Sequence, residues 1–512
     1  MACWDSWASA CPIGAASHGR RQAMAVLSCL VGALMLLRAV DDPETSAGKS
    51  SPPHAATRRR GFRNLRPHRG HPNGHMTPNT MTSARGRSRL HYAWVVLATT
   101  TLVLLASGGV RAAIGVFIKP LEAEFGWSRT ALSFAVAVSI ALYGLTGPVV
   151  GRLADRWGPR WVLTAGVALV GIGTMAGAGV TQFWQFFVAV GLIAAIGSSA
   201  TAAPVAATVA TRWFDRHRGL VLGFNGAGMA AGQLLVLPLA MGLVAVLGWR
   251  GAYLVLGAAL LVIVVPLTAA LMRNDPSERG LLAYGATAPP RAITAAQEAA
   301  ERTPVSEAVH TRPFLLLCGS FWVCGYSTFG VILAHFIPHA TDHGFQPHQA
   351  AEALGIMGAM NIVGTIASGW FCDRVGPKFP LALYYLFRGI SLFFLPYVTT
   401  VPGLFAFAAL FGLNFISTVP ATTTLTARIY GRYSVGELSG WIFASHQLGG
   451  ALGSVASGWL FDRTGDYTMA FYAAGAWALL AMGMVLAIRD EPIVRSKRPG
   501  SVPVSSALGR SL

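Results

Sequence analysis

One decapeptide pattern occurs twice in this chain and constrains its fold more than any other feature. Residues 151–160 read GRLADRWGPR and residues 369–378 read GWFCDRVGPK, so both copies share the frame G-x-x-x-D-R-x-G-P-[RK]. Each copy separates two long apolar segments. A polar hinge that recurs at the same place in two halves of an apolar chain predicts two homologous, membrane-embedded halves.

The composition agrees with a membrane protein. Hydrophobic residues make up 53% of the chain and charged residues only 12%, about half the charged fraction of a typical soluble domain. Segments of about 20 apolar residues are long enough to span a membrane. The candidate spans are residues 92–118, 130–150, 161–181, 184–210, 219–246, 250–272, 313–337, 350–368, 379–400, 402–427, 436–460 and 468–488. Their Gly, Ala and Ser content favours close helix packing, so we expect an all-α integral membrane protein with twelve transmembrane helices in two pseudo-symmetric six-helix bundles.

The net charge of +18 follows the predicted topology rather than a nucleic-acid partner. If the N terminus is cytoplasmic, most loop arginines fall on the cytoplasmic side. The outer loops then hold only Lys119, Arg129, Arg250 and Arg463. This is the asymmetry of the positive-inside rule, so both termini are predicted to be cytoplasmic and no nucleic acid is expected.

Residues 1–90 differ from the rest of the chain. Residues 51–90 contain nine arginines and no acidic residue, a composition that does not build a core. We interpret this segment as a disordered basic leader that follows from a start codon assigned too early, with Met81 as a plausible true start. The predicted order after the leader is an N-terminal six-helix bundle at 91–272, a cytoplasmic linker at 273–312, a C-terminal six-helix bundle at 313–488 and a cytoplasmic tail at 489–512.

The hinge pattern has a physical logic. Gly158 can adopt the positive φ of a tight turn, and Asp155 can bond the N-terminus of a neighbouring helix. The halves match again at Pro204 and Pro420, each of which precedes an arginine by eight residues. One copy of the hinge would equally fit a plain basic loop, but two equivalent copies favour a gating role. The predicted gating residues are Gly151, Asp155, Arg156, Gly158, Arg160, Gly369, Asp373, Arg374, Gly376 and Lys378.

This signature loop resembles that of the major facilitator superfamily, and the resemblance covers residues 90–490. It implies twelve helices in two bundles, a central cavity and alternating access by rocking. It also implies that Asp155 and nearby arginines latch the cytoplasmic side when the cavity opens outward. The aromatic opening at 92–96, the loop at 213–220 and the turn at 248–250 are similar to monocarboxylate transporters and bacterial oxalate–formate-type antiporters.

The chain departs from that branch at three positions. The basic residue of helix eight is replaced by Thr365, and Asn361 stands where monocarboxylate carriers often have an acid. His446 stands where oxalate-type antiporters have a lysine. The two-cation clamp for a dicarboxylate is therefore incomplete, and the coupling ion is unassigned.

Two basic residues lie well inside predicted spans, where charges are costly and usually functional. Arg111 is the first candidate for binding an anionic substrate, with snorkelling to the outer face as the alternative. Arg388 is the second, with inter-helix hydrogen bonding as the alternative. His446 is the best titratable candidate, unless it is simply a packed histidine. The remaining substrate candidates, each of which also fits a helix–helix contact, are Asn225, Tyr326, Asn361, Asn414 and Gln447.

We therefore expect a secondary active transporter of a small organic anion, a monocarboxylate, in the bacterial inner membrane. Proton symport and anion exchange both remain open, because the chain has no P-loop for ATP hydrolysis. The expected partners are the bilayer and a proton or counter-anion, with a monomer as the oligomeric state. No enzyme activity, cofactor or metal site is expected, since the cysteines form no CxxC pair. The alternatives are an exporter of amphiphilic drugs and a membrane ligand sensor.

Overall fold

The computed structural model describes residues 91–287 and 302–492. The predicted leader at 1–90, the middle of the predicted linker and most of the predicted tail lie outside the described residues. Within them the chain is almost entirely helical, and its one bridge of β type joins Phe214 to Tyr284.

The described residues form twelve long helices, arranged as two bundles of six. The N-terminal bundle contains α1 (Tyr92–Phe125), α2 (Arg129–Leu145, continued by Gly147–Trp157), α3 (Pro159–Gly177), α4 (Phe183–Trp213), α5 (218–247) and α6 (249–271). The C-terminal bundle contains α7 (Arg312–Asp342), α8 (Pro347–Val375), α9 (Lys378–Tyr397), α10 (Val401–Tyr430), α11 (Val435–Thr464) and α12 (Thr468–Leu486).

Ten helical segments of the described chain have the length and apolar composition of a membrane span. One of them, Arg218–Leu271, contains both α5 and α6, because Gly248 breaks it with a φ of 69°. The remaining helix, α11, is long enough, but its glycine and serine residues lower its hydropathy. The predicted twelve-helix, two-bundle fold is therefore confirmed.

Several helices extend beyond the predicted spans. α1 continues to Phe125 rather than ending at 118, and α2 continues to Trp157 rather than ending at 150. The hinge sequence is therefore not a loop but the last two turns of a helix, followed by a turn at Gly158. The prediction missed this because hydropathy marks only the apolar part of a helix, whereas its polar end continues into the headgroup region and water.

The two bundles repeat the same contacts. α1 packs along α5 as α7 packs along α11, and α9 packs along α12 as α3 packs along α6. Between the bundles α5 packs on α8 and α2 packs on α11. These two contacts are related by the same repeat, so the interface is itself pseudo-symmetric.

α4 and α10 are both interrupted at the matching prolines. In α4 the helix breaks at Thr201 and resumes with Pro204 in its first turn. In α10 it breaks after Asn414 and resumes at Thr418, two residues before Pro420. A proline removes one backbone donor and crowds the carbonyl four residues earlier, so the prolines explain both breaks.

Candidate functional site

We call the end of the molecule that carries both hinge sequences the hinge end. There the two bundles contact each other through the backbone atoms of glycines. Gly151 of α2 lies against Gly436 of α11, and a Cβ atom at Gly151 would overlap the Gly436 carbonyl. Gly369 of α8 lies against Gly219 of α5 in the same way. The first glycine of each hinge therefore allows a helix of one bundle to touch a helix of the other.

Asp155 binds the N-terminus of a helix in the opposite bundle. Its Oδ1 accepts the Gly436 N–H at 3.1 Å, and its Oδ2 accepts the Glu437 N–H at 2.9 Å. The Thr208 hydroxyl donates a third bond to Oδ1 at 2.9 Å. Gly436 and Glu437 are the second and third residues of α11, whose N–H groups have no partner within the helix. The carboxylate thus meets the positive end of the helix dipole.

Asp373 makes the equivalent contact with α5. Its Oδ1 accepts the Gly219 N–H at 2.7 Å, and its Oδ2 accepts the Leu220 N–H at 2.8 Å. These are again the second and third residues of the helix. Each hinge aspartate therefore caps a helix of the other half, and the two caps close the hinge end reciprocally. The expected bond from Asp155 to a neighbouring helix N-terminus is confirmed.

The basic residues near Asp155 have different contacts. Arg152 forms an ion pair with Glu437 across the bundle interface. Arg212 donates to the Asp155 carbonyl at 2.6 Å and to the Asp275 carboxylate at 3.0 Å. Arg302 of the linker donates to the same Asp155 carbonyl at 2.9 Å. The linker and α4 therefore stabilise the end of α2.

The remaining hinge residues are less engaged with the opposite bundle. Arg160 donates to the Ala269 carbonyl within its own bundle at 2.8 Å. Arg374 lies over the Trp370 ring, with 4.3 Å between its Cζ and the ring centroid. Arg156 is exposed and Lys378 is half-buried. Gly158 and Gly376 have φ angles of 88° and 83°, as the tight turn requires.

We expect Asp155→Asn to shift the protein toward a state open at the hinge end. The variant loses charged hydrogen bonds worth about 1.5–3 kcal/mol, which corresponds to a population shift of roughly 10- to 150-fold. Asp373→Asn should have a smaller effect, because Asp155 is 2% exposed whereas the Asp373 side chain is exposed to water. Alkylation of a cysteine at Thr426, which is buried and lines a small cavity together with Ser439 of α11, measures the opening. Equal labelling in the wild type and both variants would contradict the gating role.

Arg111 lines a cleft in the N-terminal bundle. Its guanidinium lies over the Tyr143 ring, with 4.3 Å between Cζ and the ring centroid. The cleft is also lined by Tyr253, whose buried hydroxyl has no hydrogen-bond partner among the described residues. Three buried hydroxyl side chains complete its polar lining, namely Ser139, Thr174 and Ser198. The cleft thus combines one cation with several groups able to hydrogen-bond an anion.

Arg388 is completely buried in the C-terminal bundle. It donates to the Asn414 and Phe415 carbonyls at 2.7 and 3.0 Å and to the Asn414 side chain at 3.2 Å. Its other terminal nitrogen contacts Cys324 Sγ at 3.1 Å and Ser327 Oγ at 3.3 Å. In this conformation the guanidinium has no open face for a substrate, and it fits the predicted alternative of inter-helix hydrogen bonding. The backbone carbonyls it binds belong to the break in α10.

Three further candidates lie near Arg388. Asn414 contacts it directly, and Asn361 Oδ1 accepts the Ile416 N–H from the same break at 3.1 Å. His446 is buried against the rings of Phe321, Phe329 and Phe443, and its Nδ1 has no hydrogen-bond partner among the described residues.

The other candidates lie elsewhere. Asn225 of α5 accepts a hydrogen bond from the Thr101 hydroxyl at 3.0 Å. Tyr326 stacks on Trp322, with 5.3 Å between ring centroids. Gln447 lies against Gly144 of α2. The eight predicted substrate residues therefore do not form one site.

Sequence reasoning missed Cys324, Tyr143 and Tyr253. A single cysteine or tyrosine in an apolar span is usually a packing residue, and only the fold brings these side chains next to Arg388 and Arg111. The two arginines inside predicted spans, Arg111 and Arg388, were the sequence feature that pointed to these two regions.

Two six-helix repeats, joined at one end by reciprocal helix caps, define a polytopic membrane transporter. The chain belongs to the Major Facilitator Superfamily, whose family model matches residues 100–399 and 324–510.

Proteins with similar sequences include monocarboxylate transporters and a bacterial MFS-type transporter. Monocarboxylate transporter 11 of Homo sapiens is 28% identical over 403 residues, which cover 76% of this chain and 81% of the relative. Monocarboxylate transporter 13 of Bos taurus is 26% identical over 402 residues, 78% and 89% of the two chains. The MFS-type transporter YcxA of Bacillus subtilis is 26% identical over 387 residues, 73% and 90% of the two chains.

Solved structures share the fold at low sequence identity. The proton:xylose symporter XylE superposes with a TM-score of 0.62 at 18% identity and covers 78% of this chain and 97% of XylE. The transporter FucP in its outward conformation gives a TM-score of 0.59 at 14% identity, with 77% and 99% of the two chains covered.

Proposed function

We propose that this protein is a secondary active transporter of a small organic anion, a monocarboxylate, across the bacterial inner membrane. The observation that carries the proposal is the half-buried Arg111 guanidinium in a cleft that also holds an unpartnered tyrosine hydroxyl. A guanidinium forms paired hydrogen bonds with a carboxylate or a phosphate, and the apolar lining of the cleft favours the less strongly charged carboxylate. The names of the relatives support the same substrate class.

The lining of the cleft favours a small anionic substrate. Apart from Arg111 and its hydroxyl groups, the lining is apolar, with Phe117, Val170 and Val190 among its members. One carboxylate would bind Arg111, and a short apolar or hydroxylated body would occupy the remaining space.

The hinge end supplies the conformational half of the mechanism. Closed helix caps at this end correspond to a state from which a substrate leaves or enters at the other end. By the positive-inside rule the hinge end is cytoplasmic, so the described conformation is closed toward the cytoplasm. Transport requires both caps to open while the outer end closes, which is alternating access.

A thermal-shift screen of the purified protein tests the substrate class. Formate, acetate, pyruvate, L-lactate and oxalate form the anion panel, and D-xylose and L-fucose are the neutral controls. We expect stabilisation by one or more monocarboxylates and none by the sugars, because binding to the folded state raises its stability. Uptake of each hit into proteoliposomes then tests transport. Stabilisation by a sugar alone would refute the proposal.

We expect Arg111→Gln to weaken binding of the anion found in that screen by about 1.5–3 kcal/mol, the usual range for a charged hydrogen bond. Isothermal titration of the purified variant measures the change. Arg463→Gln is the matched control, since Arg463 also lies over an aromatic ring, with 4.4 Å from Cζ to the Trp459 centroid, but belongs to the opposite bundle. Unchanged affinity in the Arg111 variant would exclude this residue as the anion site.

A further inference from the structure

We propose that His339 and His343, at the end of α7 opposite the hinge end, bind a divalent metal ion that prefers nitrogen ligands, as Zn²⁺ does. The site goes beyond the proposed function, because it lies away from the anion cleft and requires neither a particular substrate nor a particular coupling ion. It rests on the spacing of the two histidines, on the distance between their rings and on the contacts of their ring nitrogens.

The two histidines are four residues apart at the end of one helix. α7 ends at Asp342 and His343 is its C-cap, so His339 and His343 lie on the same face. The centroids of the two rings are 4.1 Å apart, with 47° between the ring planes. Two histidines at positions i and i+4 of a helix hold the metal of many zinc enzymes. The spacing and the ring distance therefore allow one ion to contact both side chains.

The hydrogen bond of His343 determines which of its nitrogens is available to a metal. Its Nδ1 lies 2.9 Å from the His339 carbonyl oxygen. A carbonyl oxygen only accepts, so in the neutral ring Nδ1 carries the proton and Nε2 keeps its lone pair. Histidines that bind metals are oriented in this way, with the other ring nitrogen donating to a carbonyl or a carboxylate. The exposed ring of His343 thus offers Nε2 to an ion that enters from water.

His339 supplies the second ligand. Its side chain is 2% exposed, and its Nδ1 has no hydrogen-bond partner among the described residues. A buried polar atom without a partner is unusual, because it loses its bonds to water and does not replace them. A metal ion bound to this nitrogen would replace them. Phe471 and Tyr467 pack against the His339 ring, with 4.7 and 6.5 Å between centroids, and they hold it beside His343.

The charges at this end of the molecule favour a cation. Asp342 precedes His343 and is exposed, and Asp462 and Asp466 are exposed where α11 joins α12. Arg463 is the one basic residue between those two aspartates. No group of three metal-ligating side chains occurs among the described residues, so water would complete the coordination shell. Zn²⁺ suits such a site, because it binds imidazole well and accepts water as a further ligand.

No metal site was expected from the sequence, because the cysteines form no CxxC pair. Two histidines four residues apart carry little weight by themselves, since each of them can simply face water or pack in the core. The structure adds two observations that favour a metal. The Nδ1 of the buried His339 has no partner, and a carbonyl bond orients the His343 ring so that its Nε2 is free.

Chemical modification of histidine tests the site in the full-length protein without any substrate. Diethyl pyrocarbonate modifies free imidazole nitrogens, and mass spectrometry of peptides identifies the modified residue. We expect ZnCl₂ to slow the modification of His343 at about pH 7.5, where imidazole is mostly neutral, because the metal occupies Nε2. His339→Gln should weaken this protection at least about tenfold, since loss of even an outer-shell partner of a metal ligand costs roughly 10- to 100-fold in affinity.

His310 is the matched control within the same molecule. Its ring is also exposed, and its Nδ1 lies 2.7 Å from the carbonyl oxygen of Ser306, four residues earlier. It therefore makes the same backbone bond as His343, but a serine stands where His343 has a second histidine. Zinc should leave the modification of His310 unchanged. Equal rates at His343 with and without zinc, or equal protection of His343 and His310, would overturn the proposal.

Thermal unfolding provides a second test that avoids any buried substitution. An ion that binds only the folded state raises its stability, so ZnCl₂ should raise the apparent melting temperature of the wild type. His343→Asn changes an exposed side chain, and zinc should not raise the melting temperature of this variant. His348→Asn, which removes an exposed histidine at the start of α8, should keep the full effect. No rise in the wild type, or an equal rise in His343→Asn, would refute the site, whereas failure of the protein to bind any anion would count only against the proposed function.

Discussion

Gly151→Ala is expected to reduce transport by roughly 5- to 150-fold. The new methyl group would overlap the Gly436 carbonyl, and backbone atoms of α11 cannot yield as a flexible side chain would. Overpacking of this kind costs about 1–3 kcal/mol, which is equivalent to that population shift. The cost falls only on the state closed at the hinge end. The protein should therefore accumulate in the opposite state, and alkylation of a cysteine at Thr426 should rise as uptake falls.

Gly458→Ala is the control for this variant. Gly458 begins a third copy of G-x-x-x-D-R-x-G within α11, but an added Cβ there meets no atom within 4 Å. Both substitutions gain the same helix propensity, about 1 kcal/mol, so only the contact with the opposite bundle distinguishes them. Normal transport in both variants would show that the glycine contact does not control closure.

Arg388→Met is expected to lower the apparent melting temperature strongly and to reduce the yield of folded protein. The methionine leaves the Asn414 and Phe415 carbonyls without their donor, at a cost of about 1–3 kcal/mol for each unsatisfied group. Both carbonyls belong to the broken segment of α10, where no helical N–H replaces the lost bonds. Thermal unfolding in detergent, followed by tryptophan fluorescence, measures the loss.

Arg428→Met provides the comparison for Arg388. The Arg428 side chain is 51% exposed and pairs with Asp490 at 3.5 Å, and an exposed ion pair of this kind is worth about 0–1 kcal/mol. Its melting temperature should hardly change. A similarly small change in the melting temperature of Arg388→Met would mean that the interrupted segment of α10 is stable without the guanidinium.

The repeat predicted the fold because an apolar chain with two equivalent hinges has few ways to bury its polar groups in a membrane. The sequence predicted that Asp155 would bond the N-terminus of a helix, since a carboxylate after an apolar helix can reach a neighbouring N-terminus. The identity of that helix was not predictable, because α11 lies in the other half of the sequence. The eight predicted substrate residues lie at different places in the fold for a related reason. A polar residue in an apolar span is unusual, but the sequence does not show what its side chain contacts. Only the packing decides whether the side chain faces a cleft, as Arg111 does, or hydrogen-bonds the backbone at a helix break, as Arg388 does.

The two helix caps are alike in geometry but unequal in exposure to water, and this gives the opening of the hinge end an order. Water already reaches the Asp373 side chain and can replace its bonds to α5 one at a time. Asp155 is sealed at 2% exposure and holds three bonds, so water arrives there only after the helices begin to separate. We therefore expect the two contacts to separate in order. The contact between α8 and α5 opens first, and the slower separation of α2 from α11 sets the turnover rate.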